Sequence, residues 1–243
     1  MNTEKIITKR IGHQLDASVL STTPDTKLVD SLWAINWFDL RRKWMYSLYN
    51  MLVVGHVQKI GAKPIFKGEL QRPIHNSERL RRDMLLIVRY PKASAFLEMI
   101  SSYFFQVKGM LRSSAVEHFQ FGFMSNQRLS SDEQDEAFPT AYKGKLKYLV
   151  QVCEGSDAID LDALIEAAKS REIFPHFIGK KSAILGLKKN EASLKTLDFI
   201  LSHVLVLGGF DDEALESFAQ SAEYQKFFNS SSESFCGLYE RTI

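Results

Sequence analysis

Residues 85–106, LLIVRYPKASAFLEMISSYFFQ, run from an apolar stretch through a break at Arg89-Tyr90-Pro91 into a helix-like pattern. The proline blocks further ladder pairing and favours a turn, so the stretch reads as one strand–turn–helix unit. Moved by 119 residues (204 − 85), it lands without a gap on a second such unit. Leu85, Ile87, Pro91 and Phe96 fall on Val204, Val206, Phe210 and Leu215; Met99, Ser102, Phe105 and Gln106 fall on Phe218, Ser221, Tyr224 and Gln225. In the second unit Gly208 and Gly209 make the turn, and an Asp (Asp211 or Asp212) is placed to cap the helix. An offset of 115 (148 − 33) sets Trp33, Asn36 and Trp37 on Tyr148, Gln151 and Val152. Identities are few, so the repeat is one of pattern. It favours two βαββαβ halves over one doubly wound sheet.

The rest of the chain fits that frame. SLWAINWFDL (31–40) is strand-like, and RRKWMYSLYNMLVVGHVQKIGA (41–62) places Trp44, Leu48, Met51, Leu52 and Val54 at helical spacing, with Gly61 closing the helix. KPIFKGEL (63–70) and DMLLIVRY (83–90) read as strands, the second with the continuous apolar centre of a strand covered on both faces. A single helix is predicted over 92–112, and VEHFQFGFM (116–124) closes the half with alternating Phe119, Phe121 and Phe123. SNQRLSSDEQDEAFPTAYKGK (125–145) is polar and broken by Pro139 and Gly144. The second half predicts strands at 147–155, 197–210 and 234–242, a strand or hairpin at 176–189, and helices at 160–173 and 211–228. The expected architecture is therefore an N-terminal arm over 1–30, one unit over 31–125, a linker over 126–145 and a second unit over 146–243.

Composition narrows the function classes. Lys and Arg number 31 against 29 acids, a net charge of +2 that gives no electrostatic footprint for nucleic acid. Arg79, Arg81 and Arg82 form a local, interrupted cluster that reads as a solvated loop. Only Cys153 and Cys236 occur, far apart, which argues against a disulfide framework or a zinc site and for a reducing cytoplasm. The first 18 residues lack the apolar core of a signal peptide, and no stretch approaches a membrane span, so no membrane partner is expected. No dinucleotide or Walker-type glycine loop, nucleophile elbow or paired-histidine metal motif is present, and no cofactor or metal is expected.

The stretch LLIVRYPKASAFLEMISSYFFQ, preceded by KIGAKPIFKGEL, resembles the uncharacterised ferredoxin-like proteins of the dimeric α+β barrel superfamily, whose pattern joins a strand ending in R-Y-P to a helix of the form A-F-L-x-M-x-S-x-x-Y-Q. SFAQSAEYQKFF in the second half is a fainter copy, and INWFDL sits where that family carries an asparagine in its first strand. The resemblance implies an α+β fold of two tandem ferredoxin-like units, with antiparallel sheets packed as an intrachain pseudo-dimeric barrel, the protein being a monomer or a homodimer. Distant relatives include cofactor-independent monooxygenases, lactone isomerases, dehydratases and haem-binding enzymes, and fold alone does not choose among them.

Three residues carry the chemistry a cavity in such a fold would need. Asn36 is a mid-strand amide that either polarises a substrate oxygen or is satisfied within the core. Arg89, at the carboxyl end of a strand, either holds a carboxylate or enolate or pairs with Glu98 or Asp83 on the surface. His118 is a base or a haem ligand, or neither; neighbouring Glu117 points to the opposite face and does not orient it. Trp33, Trp37, Tyr90 and Phe121 are the candidates for binding an apolar or aromatic substrate, and packing is the alternative for each. His203, inside ILSHVLVL, is either a core histidine or a haem ligand. Two functions remain open: a cofactor-independent enzyme of oxygenase, isomerase or cyclase type, and a non-catalytic module that binds a small molecule or another protein.

Overall fold

The computed structural model describes residues 20–22, 31–75, 77–127, 146–155, 161–181, 185–187, 201–229 and 231–242. Most of the expected arm and linker lies outside these residues. The described elements are β1 (Leu20–Thr22), β2 (Leu32–Leu40), α1 (Lys43–Lys59), β3 (Lys63–His75), β4 (Met84–Tyr90), α2 (Ala93–Ser101), α3 (Tyr103–Ala115) and β5 (Val116–Asn126). They continue with β6 (Lys147–Glu154), α4 (Leu161–Lys169), β7 (Phe174–Lys181), β8 (Leu185–Leu187), β9 (Leu201–Gly209), α5 (Asp212–Ala219), α6 (Ala222–Asn229) and β10 (Glu233–Arg241). The fold is mixed α+β and its paired strands are antiparallel.

The chain divides into two compact units that interleave along the sequence. Of the described residues, the first holds 20–22, 31–65, 83–123 and 185–187. In it β2 lies between β4 and β5, and the β2–β4 register sets Trp33 opposite Arg89 and Asn36 opposite Leu86. Side chains alternate between the faces of a strand. Leu32 and Ala34 of β2, with Val88 and Tyr90 of β4, pack on Ala93, Phe96 and Met99 of α2 and on Phe121 and Phe123. Further along the same face, Phe38 and Met84 pack on Tyr46, Tyr49 and Val53 of α1. By alternation Trp33, Ile35, Trp37, Leu85, Ile87 and Arg89 occupy the face turned away from the helices.

Local signals set the element ends. Gly61, at φ 72°, closes α1, and its amide reaches the Gln58 carbonyl (3.0 Å). β4 stops at Tyr90, before Pro91, as the proline requires. One expectation is corrected: the single helix over 92–112 is two. Ser102 leaves the helical backbone (ψ 132°) and caps α3, its Oγ accepting from the Phe105 amide (3.3 Å). α1 adds a surprise. Its buried side chains are Tyr46, Tyr49 and Val53, while the stripe Trp44–Leu48–Met51–Leu52–Val54 faces outward, exposed or half-buried. The helix is apolar on both sides, so spacing alone marks a helix without telling which side is core.

Of the described residues, the second unit holds 66–75, 77–82, 124–127, 146–155, 161–181, 201–229 and 231–242, and its strands run in the order β3–β10–β6–β9–β7–end of β5. β3 therefore pairs with the last strand, Glu69 standing opposite Glu240 and Arg72 opposite Leu238. Leu149, Cys153, Leu205, Leu207 and Leu238 pack on Leu164, Ala168, Leu215, Phe218 and Tyr224 of the helices. Asp211 caps α5 as expected, accepting from the amides of Glu213 and Ala214 (both 3.3 Å). The helix expected over 211–228 is again two, with Ser221 capping α6 through the Tyr224 amide (3.4 Å). Of the stretch 176–189, β7 pairs with β9, whereas β8 pairs with β1 instead of folding back as a hairpin.

Candidate functional site

The face of β2 and β4 turned away from the helices brings three of the seven sequence candidates together. Trp33 and Trp37 are buried, 3% and 0% exposed, and share this face with Arg89, which is half-buried directly across from Trp33. Arg89 pairs with neither Glu98 nor Asp83 among the described contacts; its Nη2 donates to Ser31 Oγ (3.4 Å), whose own hydroxyl donates to the Pro91 carbonyl (3.3 Å). A guanidinium across from one indole, on a face shared with Leu85 and Ile87, is a fork of donors in an apolar wall. Such a group suits a planar anion with an aromatic or aliphatic body.

The other four candidates lie elsewhere. Asn36 is on the helix-facing side, where its Nδ2 donates to the Leu86 carbonyl (3.3 Å), which is the satisfied arrangement of a buried amide. Tyr90 and Phe121 are on that side too. Phe96 stacks on Phe121 (5.7 Å between centroids) and meets Tyr90 and Phe123 edge-on, each at 5.0 Å. Burial holds the Tyr90 hydroxyl well above its ordinary pKa, and it rests 4.0 Å from Met99 Sδ, so it stays neutral.

His118 is exposed (65%) and sits in the left-handed region at φ 47°. Its Nδ1 lies 2.8 Å from the Asp39 carboxylate, whose other oxygen accepts from the Asp83 amide (2.8 Å). Asn36 and Arg89 are thus on opposite faces of one sheet, and His118 stands at the surface. Sequence reasoning missed Asp39, because the β2–β5 adjacency that makes it a neighbour of His118 is not visible along the chain.

A polar cluster in the second unit was missed as well. Tyr224 and Gln151 are buried beside Cys153 and Cys236, neither of which is in a disulfide. The Tyr224 hydroxyl donates to Gln151 Oε1 and lies 3.0 Å from Cys236 Sγ, and Gln151 Nε2 donates to Cys153 Sγ (3.3 Å). Burial pushes the Cys153 thiol up to about 11 and the Cys236 thiol to about 12. These are poor nucleophiles, and the cluster reads as internal satisfaction of polar groups. His203 is buried, with Nδ1 3.1 Å from Ser202 Oγ; His176 is buried at a register shift in β7, its ring meeting Tyr148 edge-on at 5.1 Å. Among the described residues no group of three or more His, Cys, Asp or Glu side chains could hold a metal ion, and no helix is long and apolar enough to cross a membrane.

No family model and no curated protein matches the chain. Solved structures do resemble it. A candidate monooxygenase from Fusobacterium nucleatum aligns over 88% of this chain and 94% of its own, with a TM-score of 0.50 and 6% identity. A chlorite dismutase from Candidatus Nitrospira defluvii aligns over 91% and 96%, at 0.49 and 13%. A protein of unknown function from Rhodopseudomonas palustris covers 53% of this chain and 97% of its own, at 0.39 and 16%. At such identities the likeness is one of fold: the chain has a mixed α+β architecture with antiparallel sheets, similar to the α+β barrel proteins among which the F. nucleatum structure falls.

Proposed function

We propose that this protein binds an apolar or aromatic small molecule carrying a carboxylate or enolate, held by Arg89 against Trp33 and Trp37. One observation carries the reading: the guanidinium lies directly across the strand pair from an indole, on a face otherwise apolar. The oxygenase chemistry in the F. nucleatum protein's name would need a base beside that anion. Asn36 and His118, the other catalytic candidates, stand on other faces, so ligand binding is the better-supported half of the enzyme-or-binder alternative. The same strand orders fit a tandem of two ferredoxin-like units, 31–125 and 146–243. The last strand lies beside the first, and the first beside the third, in both β5–β2–β4 and β10–β6–β9.

Native mass spectrometry of the full chain from its own host tests the ligand. The expected result is a retained organic acid in the wild type and an empty Arg89→Ala variant of nearly unchanged melting temperature. A wild type without retained mass, or a steep loss of stability in the variant, overturns the reading. A retained haem would move the site to a histidine.

A further inference from the structure

The outward face of α1 and α3 is apolar where a surface helix is normally polar. Trp44 is 68% exposed and Phe104 72%, with Met51, Leu52 and Met110 exposed between them. The two helices are antiparallel neighbours: the Lys108 Nζ donates to the Leu52 carbonyl (2.8 Å), the rings of His56 and Phe105 lie 6.4 Å apart, and the Arg112 guanidinium stands 5.9 Å over the Tyr49 ring. Trp44 and Phe104 therefore mark opposite ends of a face roughly 20 Å long, given the helical rise between them. Its exposed apolar area is on the order of several hundred Å², the size of the largest patch on a typical monomer, which is often a functional surface.

Charge selects the partner. From Arg41 to Gly68 the sequence holds no Asp or Glu, and α3 has none, while Arg41, Arg42 and Lys59 are exposed at the ends of α1. Both ends of the face are cationic, so a second copy laid on it would bring like charges together. The contacts above bridge the two helices, and the side chains exposed on the face, Trp44, Met51, Phe104 and Met110, are large. A helical partner needs a groove to enter; a bilayer interface accepts protruding aromatics and has anionic headgroups for the flanking cations. We propose that the α1–α3 face docks on an anionic lipid surface, Trp44 and Phe104 entering the headgroup–acyl boundary. This goes beyond the ligand site, and it revises the expectation of no membrane partner, which weighed only spanning segments.

Trp44 makes the test direct, because the other two tryptophans, Trp33 and Trp37, are buried. The full chain is titrated with vesicles of three parts phosphatidylcholine to one part phosphatidylserine, and with phosphatidylcholine alone, following tryptophan emission and flotation. The expected result is a blue shift and flotation with phosphatidylserine only, both reversed by salt. Phe104→Ser abolishes flotation, Trp44→Phe loses the shift, and Arg42→Gln or Lys59→Gln each weakens binding about fivefold. Circular dichroism confirms that these exposed substitutions leave the fold intact. The proposal fails if wild type does not float. It also fails if Trp44 shifts blue on self-association without lipid, or if only an acidic helical peptide produces the shift.

Discussion

Ser102 and Ser221 perform the same act 119 residues apart (221 − 102): each Oγ accepts the amide proton of the residue three positions on, and each thereby starts a new helix where a single one was expected. Ser102→Ala and Ser221→Ala should each cost about 1 kcal/mol, the usual worth of a cap. For a chain of this size that is roughly 2–4 °C in melting temperature, read by thermal denaturation. If the α2–α3 and α5–α6 junctions were continuous helix, alanine would be neutral or stabilising.

Tyr224→Phe is expected to destabilise by about 1–3 kcal/mol, since Gln151 Oε1 and the Cys236 thiol lose a buried partner. Chemical denaturation measures it. A variant within error of wild type would show that a water replaces the hydroxyl.

The two thiols give a pH test. Burial raises the folded pKa of Cys153 to about 11 and of Cys236 to about 12, against about 8.5 for an unfolded thiol. The neutral form is favoured by the fold, so this contribution is complete below the unfolded value and stability declines as pH rises above it. Iodoacetamide at mildly alkaline pH should label neither thiol in the native protein and both in denaturant. Rapid native labelling would contradict the burial.

At the acid end, the Arg79 guanidinium and then the Ser77 hydroxyl hold the Glu233 carboxyl below the ordinary carboxylate range, with Glu154 on the same guanidinium. A depressed carboxyl stabilises above its unfolded pKa of about 4.3 and loses that contribution as pH falls through the folded value. Arg79→Ala should flatten stability below that pH and change little at neutrality, because the group is partly solvated. Denaturant titrations across the acid range decide it.

His118→Gly should leave the melting temperature within a few degrees of wild type. Glycine relieves a left-handed residue, worth about 1 kcal/mol, and forfeits an exposed ion pair to Asp39 worth up to about 1 kcal/mol. His118→Val, with a branched side chain at φ 47°, should be clearly destabilising.

The fold was legible where a signal is local. Pro91 ends β4, Gly61 ends α1 and Asp211 caps α5, because each acts on its own few residues. The helix breaks were legible in principle too, since Ser102 and Ser221 align in the repeat, but apolar periodicity ran through both serines and masked them. The site was legible only in pieces. Alternation puts Trp33 and Trp37 on one face and Asn36 on the other, but the register that seats Arg89 against Trp33 is fixed by strand pairing. Asp39 beside His118 and Tyr224 beside Gln151 depend on pairings of elements 73 to 79 residues apart. The exposure of Trp44 was hidden for a different reason: α1 is apolar all round.

Strand β3 from Phe66 onward groups with β10, not with the helix α1 that precedes it in sequence. On the ribosome that segment is finished long before its partner exists. At ordinary elongation rates it waits roughly ten to thirty seconds for residues 236–241 to be made. Through that interval its backbone presents an open edge, and Glu69, Arg72 and Pro73 are the residues that keep such an edge from recruiting another nascent chain.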